Sequence, residues 1–208
     1  MMKKLTEKQI GSINEALRKI GVLYVDILHE MTDHIAAALE EKETERSFER
    51  NLRHYIYTNK SELKRLNRKY IFTSWMRSWK GLLLNILTIR FMAFVGLVYL
   101  SLTGASMLIE RSPFVMLMFF VFCFANGAVS FPEAYRIMKK KDQYSAGEGL
   151  GILNIFVFFP ALFSIRFMDG VSSDTVVVLY FTALISICAV MAVTKRRLKS
   201  NYKLRYNG

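Results

Sequence analysis

Cysteine is scarce in this chain, and where it occurs it cannot build a framework. Cys123 and Cys188 each stand alone inside apolar runs, which leaves neither a disulfide scaffold nor a CxxC metal site. Both thiols are expected to pack as small, polarisable side chains. Catalytic signatures are missing too: no glycine-rich phosphate loop, no GxSxG elbow and no paired acids within the apolar runs. The sequence therefore predicts no enzyme and no cofactor. Alternating strand patterns and hairpin dipeptides are absent, which excludes a β or mixed architecture and predicts an all-α chain. The start, Met1-Met2-Lys3-Lys4, passes into Thr6, Glu7 and Gln9 instead of an apolar core. No secretory signal is expected there, and the first 90 residues should stay in the cytoplasm.

What the chain does have is four long runs without charge. Residues 91–109, 113–131, 150–165 and 176–194 contain no Asp, Glu, Lys, Arg or His. At about 1.5 Å of rise per residue, 19 residues span the roughly 30 Å of a bilayer core, and the third run of 16 is the shortest candidate. The charges lie elsewhere. Residues 1–90 hold 17 Lys+Arg and 11 Asp+Glu, and the remaining 118 hold 12 and 6, clustered between the runs. A net charge of +12 in a soluble protein would suggest nucleic acid, but basic loops on one side of a membrane account for it, and no nucleic acid partner is expected. Counted at alternate ends of the four runs, basic residues divide thirteen against two, with only Arg111 and Arg166 on the minor side. The positive-inside rule then predicts a multi-pass protein of the plasma (inner) membrane with both termini in the cytoplasm.

The polar first part carries helical periodicity. Thr6 and Gln9 fit a capping box, Ile10, Ile13, Leu17 and Ile20 follow at helical spacing, and Gly21 ends the helix. A second stripe runs over about 23–43, Ser47 caps a third helix and Ser61 a fourth. The predicted layout is a helical domain over 1–70, a basic, Trp-bearing helix over 71–90, four spans over 91–194 and a basic tail over 195–208.

Four groups of residues stand out. Trp75 and Trp79 lie one helical turn apart among Arg77 and Lys80, a pattern suited to anionic lipid headgroups; the plainer alternative is a basic helix docked on its own domain. His29, Glu30 and His34 resemble a zinc-protease motif, but the histidines are five residues apart and point about 140° from each other, so no metal site is predicted. Glu30, Asp33 and His34 remain a candidate protein contact, or a local ion pair. Asn126 and Asn154 are the only amides in the spans and are expected to bridge helices or, alternatively, to line a substrate path. Gly147 with Gly151, and Ser101 with Ala105, are small residues four apart. They leave room for a homo-oligomer, although glycine at a helix entrance is the commoner cause of such a pattern.

The segment from His29 to Glu41, with Asp33, His34 and Glu40, followed by Ser47-Phe48-Glu49, resembles the short helical HAAS signalling domain at the N-terminus of bacterial, Bacteroidetes-like membrane proteins. Thr32 stands where that pattern has an apolar residue, and Arg46, Arg50 and Asn51 also depart from it. The resemblance implies a cytoplasmic interaction module, meeting a regulatory protein, on a multi-span anchor. A small transporter, or a membrane subunit of a transport complex, is the alternative.

Overall fold

The computed structural model describes residues 5–41, 47–138, 144–168, 170–171 and 173–206. Among them are eight α-helices and no strand, so the chain is all-α. α1 (Glu7–Lys19) starts with the expected reciprocal cap. The Thr6 hydroxyl accepts the Gln9 N–H at 3.4 Å, and the Gln9 side chain accepts the Thr6 N–H at 2.8 Å. Gly21 follows at φ 100°, a left-handed turn that glycine adopts without strain. α2 (Val25–Glu41) buries Ile27, Leu28, Met31, Ile35 and Leu39 against Ile13 and Leu17 of α1. Thr32, the polar residue in that stripe, is satisfied by donating to the Asn14 side chain at 2.5 Å.

α3 (Phe48–Thr58) adds Leu52 to this core, and α4 (Lys60–Ile86) adds Leu63. Asn59 both ends α3 and opens α4, so Ser61 lies inside the first turn and does not cap it. The Asn59 amide turns back and donates to the Tyr55 carbonyl at 3.0 Å. α4 then runs without a break through residue 70, because nothing in the sequence there interrupts a helix. Its second half buries Ser74, Ser78, Leu82 and Asn85, spaced four, four and three residues apart. This stripe is narrow enough for α7 and α8 to pack closely along it.

After an elbow at Leu87 and Thr88 come α5 (Ile89–Leu108), α6 (Arg111–Met138), α7 (Ser145–Met168) and α8 (Asp174–Tyr206). Stretches of all four are long and apolar enough to cross a membrane: Ile89–Leu108, Arg111–Pro132, Ser145–Ser164 and Asp174–Tyr202. This is an integral, multi-pass membrane protein. All four helices start before their charge-free runs, and α8 continues through the expected basic tail to Tyr206; three of the starts have a local cause. α5 takes in Arg90, because Thr88 caps it by accepting the Phe91 N–H. α6 starts before Ser112, leaving Pro113 in the first turn, where a missing N–H costs nothing. α7 starts five residues before Leu150, so the glycine-rich entrance is itself helical. The basic loop residues Lys139, Lys140 and Lys141 lie outside the described residues.

α8 is the centre of the bundle. Phe181, Val177 and Leu184 pack with Phe114, Met118 and Phe122 of α6, and Leu102 of α5 joins them. Large apolar side chains such as Phe124, Phe156 and Phe163 face outward, as a lipid-facing surface requires. At the end away from α1–α3, Arg111 donates to the Met168 carbonyl at 3.1 Å and pairs with Asp174 at 3.4 Å, joining the ends of α6, α7 and α8. At the other end α2 meets α7 and α8.

Candidate functional site: the junction between domain and bundle

The first turn of α7 is held by residues from two other helices. Asp26, at the start of α2, is 4 % exposed. One of its carboxylate oxygens accepts the Ser145 N–H at 3.1 Å and the other accepts the Ser145 hydroxyl at 2.5 Å. A carboxylate at this place satisfies a helix N–H that would otherwise be orphaned, and it meets the positive end of the helix dipole. It is an N-cap supplied by a residue 119 positions earlier in the chain. Beside it, the Tyr24 hydroxyl donates to the Glu148 carboxylate. Burial, and then the Glu148 carboxylate, push the Tyr24 phenol above its ordinary range.

α4 holds the next turn. The Trp79 indole donates to the Gly149 carbonyl at 2.9 Å. Trp75 lies so close that a Cβ at Gly149 would stand 2.8 Å from its ring and 3.0 Å from its Cα. Both tryptophans, candidates for the headgroup layer, are thus half-buried against α7, while Arg77 and Lys80 on the same helix are exposed. The Trp75 indole N–H is buried without a partner among the described residues, which fits a ring placed by packing and not by hydrogen bonding.

The elbow into α5 is tied to α8. The Asn85 amide donates to the Thr194 hydroxyl at 2.8 Å, and its oxygen accepts from the Arg197 guanidinium. The Thr88 hydroxyl donates to the Asn85 carbonyl at 2.8 Å. Farther along α4, the Ser74 and Tyr202 hydroxyls lie 3.3 Å apart. Hydrogen bonds and close packing carry more of the specificity here than apolar burial, which has little drive between helices in lipid.

The other candidates fall apart in space. Asp33 and His34 are exposed on α2, and Glu30 is half-buried. No group of three or more His, Cys, Asp or Glu among the described residues could hold a metal ion. Asn154 bridges helices, donating to the Ser130 hydroxyl of α6 at 2.8 Å, and it lines a cavity of about 680 Å³ between α6, α7 and α8 beside the junction. Asn126 is equally buried but does not line that cavity, and its side-chain oxygen has no partner among the described residues.

Sequence reasoning missed Tyr24, Asp26, Asn85, Ser145 and Glu148. Only the Ser74-Ser78-Leu82-Asn85 stripe left a readable signal, as small and polar residues recurring on one face of an otherwise basic helix. Together the fold and the junction define a multi-pass membrane protein with an N-terminal helical domain clamped to one end of its bundle. No protein-family model matches the chain, nor does any curated protein or solved structure.

Proposed function

We propose that this is a signalling or regulatory membrane protein. Its N-terminal domain receives a cytoplasmic regulatory protein and passes that event to the four spans, or the reverse. The proposal assigns it no catalysis. The observation that supports this reading is the Asp26–Ser145 cap: a domain serving only as a tethered passenger has no need to complete the first turn of a membrane helix. Binding that shifts α2 would uncap α7, so the domain and the bundle share one equilibrium. The receiving surface is the exposed part of α2 at Asp33 and His34, with Glu30 beside it. The basic-residue split of thirteen to two supports placing this domain, and both termini, on the cytoplasmic side of the plasma membrane. The HAAS-like segment points the same way.

Affinity capture from gently solubilised membranes tests the proposal. The full chain should recover a cytoplasmic partner that the double variant Asp33→Lys, His34→Glu loses. Recovery of the same partner by a chain lacking residues 1–60 would contradict it. A second reading, transport, draws on the cavity at Asn154; Asn126 is not among the described residues that line it.

A further inference from the structure

The wall of the cavity beside the junction combines apolar side chains, Val129, Ile152 and Ile155, with the polar Ser130 and Asn154 and the basic Lys195, Arg196 and Lys199. Among the described residues Glu148 also lines the cavity and receives the Tyr24 hydroxyl. The first turn of α7 also lines it, at Ala146 and Gly147, with its positive end already met by the Asp26 carboxylate. Lys195 is positioned there by donating to the Val129 carbonyl at 3.4 Å. Lys195 and Arg196 directly follow the charge-free run 176–194 of α8 and Lys199 lies one turn on, where headgroups would stand if that run crosses the bilayer.

We infer that this cavity binds one anionic phospholipid, with its phosphate among Lys195, Arg196 and Lys199 and an acyl chain along Val129, Ile152 and Ile155. At about 680 Å³ the space lies within the range of roughly 300–1,000 Å³ typical of ligand sites. It takes a headgroup and the beginning of a chain, while the remainder of the lipid stays in the bilayer. Ile155 is 53 % exposed and forms the side at which the chain leaves. Since Tyr24 of the soluble domain also lines the cavity, lipid and domain share a wall. The inference does not depend on the signalling reading. Diffuse attraction of basic residues to an anionic leaflet is the competing explanation, and it has neither saturation nor shape.

The test uses the full chain in neutral detergent, titrated with phosphatidylglycerol, phosphatidylcholine or inorganic phosphate and followed by native mass spectrometry and thermal unfolding. Phosphatidylglycerol should be retained at one per chain, saturably, and should raise the unfolding midpoint. Arg196→Glu with Lys199→Glu should weaken retention about tenfold or more, and Ala128→Phe, which fills the cavity without removing a charge, should do the same. Arg77→Glu with Lys80→Glu, an equal charge change at exposed residues of α4 that do not line the cavity, should leave retention unchanged. Equal retention of phosphatidylcholine would overturn the inference. So would an equal loss in the Arg77 and Lys80 variant, retention unaffected by Ala128→Phe, or the same stabilisation by inorganic phosphate alone.

Discussion

Asp26 caps a helix to which it is not adjacent in sequence: its two oxygens take the backbone N–H and the hydroxyl of Ser145, 119 residues later, in a buried contact. Removing it leaves a buried N–H unpaired. Asp26→Ala should therefore destabilise the protein by about 2–3 kcal/mol, while Ser145→Ala, which keeps the N–H bond, should cost about 1–2. In a double-mutant cycle read by unfolding in mild detergent, the coupling reports only the hydroxyl–carboxylate bond and should be about 1–2 kcal/mol. Additive losses would show that the two residues do not act as a pair.

Gly149 is required by a close approach and not by its backbone angle. Gly149→Ala places a Cβ 2.8 Å from the Trp75 ring and should cost about 1–3 kcal/mol through forced displacement of α4 from α7. Trp75→Leu in the same chain should restore only part of the loss. It removes the ring clash but leaves the 3.0 Å contact with the Trp75 Cα. Full rescue, measured as the thermal midpoint, would show that the ring alone sets the spacing.

The two span amides should respond in opposite ways. Asn154→Leu strands the Ser130 hydroxyl and should destabilise by about 0.5–2 kcal/mol, whereas Asn126→Leu removes a buried oxygen without a partner among the described residues and should be neutral or stabilising. Unfolding of both variants under identical detergent conditions checks this. A large loss for Asn126→Leu would point to a partner or ligand at that oxygen.

Alkaline pH should loosen the junction through Tyr24. Its phenol titrates higher in the folded protein than in the unfolded chain, where it titrates near 10. The stability linked to this group is fully present below about pH 10 and falls as the pH rises beyond that value. Tyr24→Phe should flatten the stability profile in that window, as followed by unfolding between about pH 9 and 12. An unchanged slope in the variant would assign the alkaline loss to other groups.

At the far end, magnitude separates two roles of Arg111. Its pair with Asp174 is 3.4 Å long and the Asp174 side chain is 74 % exposed, so Asp174→Asn should cost no more than about 1 kcal/mol. Arg111→Ala also releases the Met168 carbonyl and should cost more. Equal losses would make the ion pair the whole contribution.

Helix order and the four spans were legible because both rest on local pattern: Thr6 with Gln9, Gly21, and the charge-free runs each act within a few residues. The junction was not. Asp26 lies at a helix start like any other acidic residue, and nothing near it names Ser145. The same holds for α7, whose first turn reads locally as the glycine-bearing entrance to a span starting at Leu150 and becomes helical with a cap from another helix. Trp75 and Trp79 were visible as a pair, yet composition alone could not separate a headgroup site from a docking face. The contact with α7 rests on Gly149, which allows an approach that a Cβ would block.

The central claim is that one contact sets the state of both α2 and α7, and hydrogen exchange of the full chain in lipid nanodiscs tests it most directly. In Asp26→Ala, the first-turn amides of α2 and those of α7 around Gly147–Gly149 should lose protection together, by about tenfold or more. Loss confined to one of the two helices would show that the domain and the bundle open independently, and the account would fail.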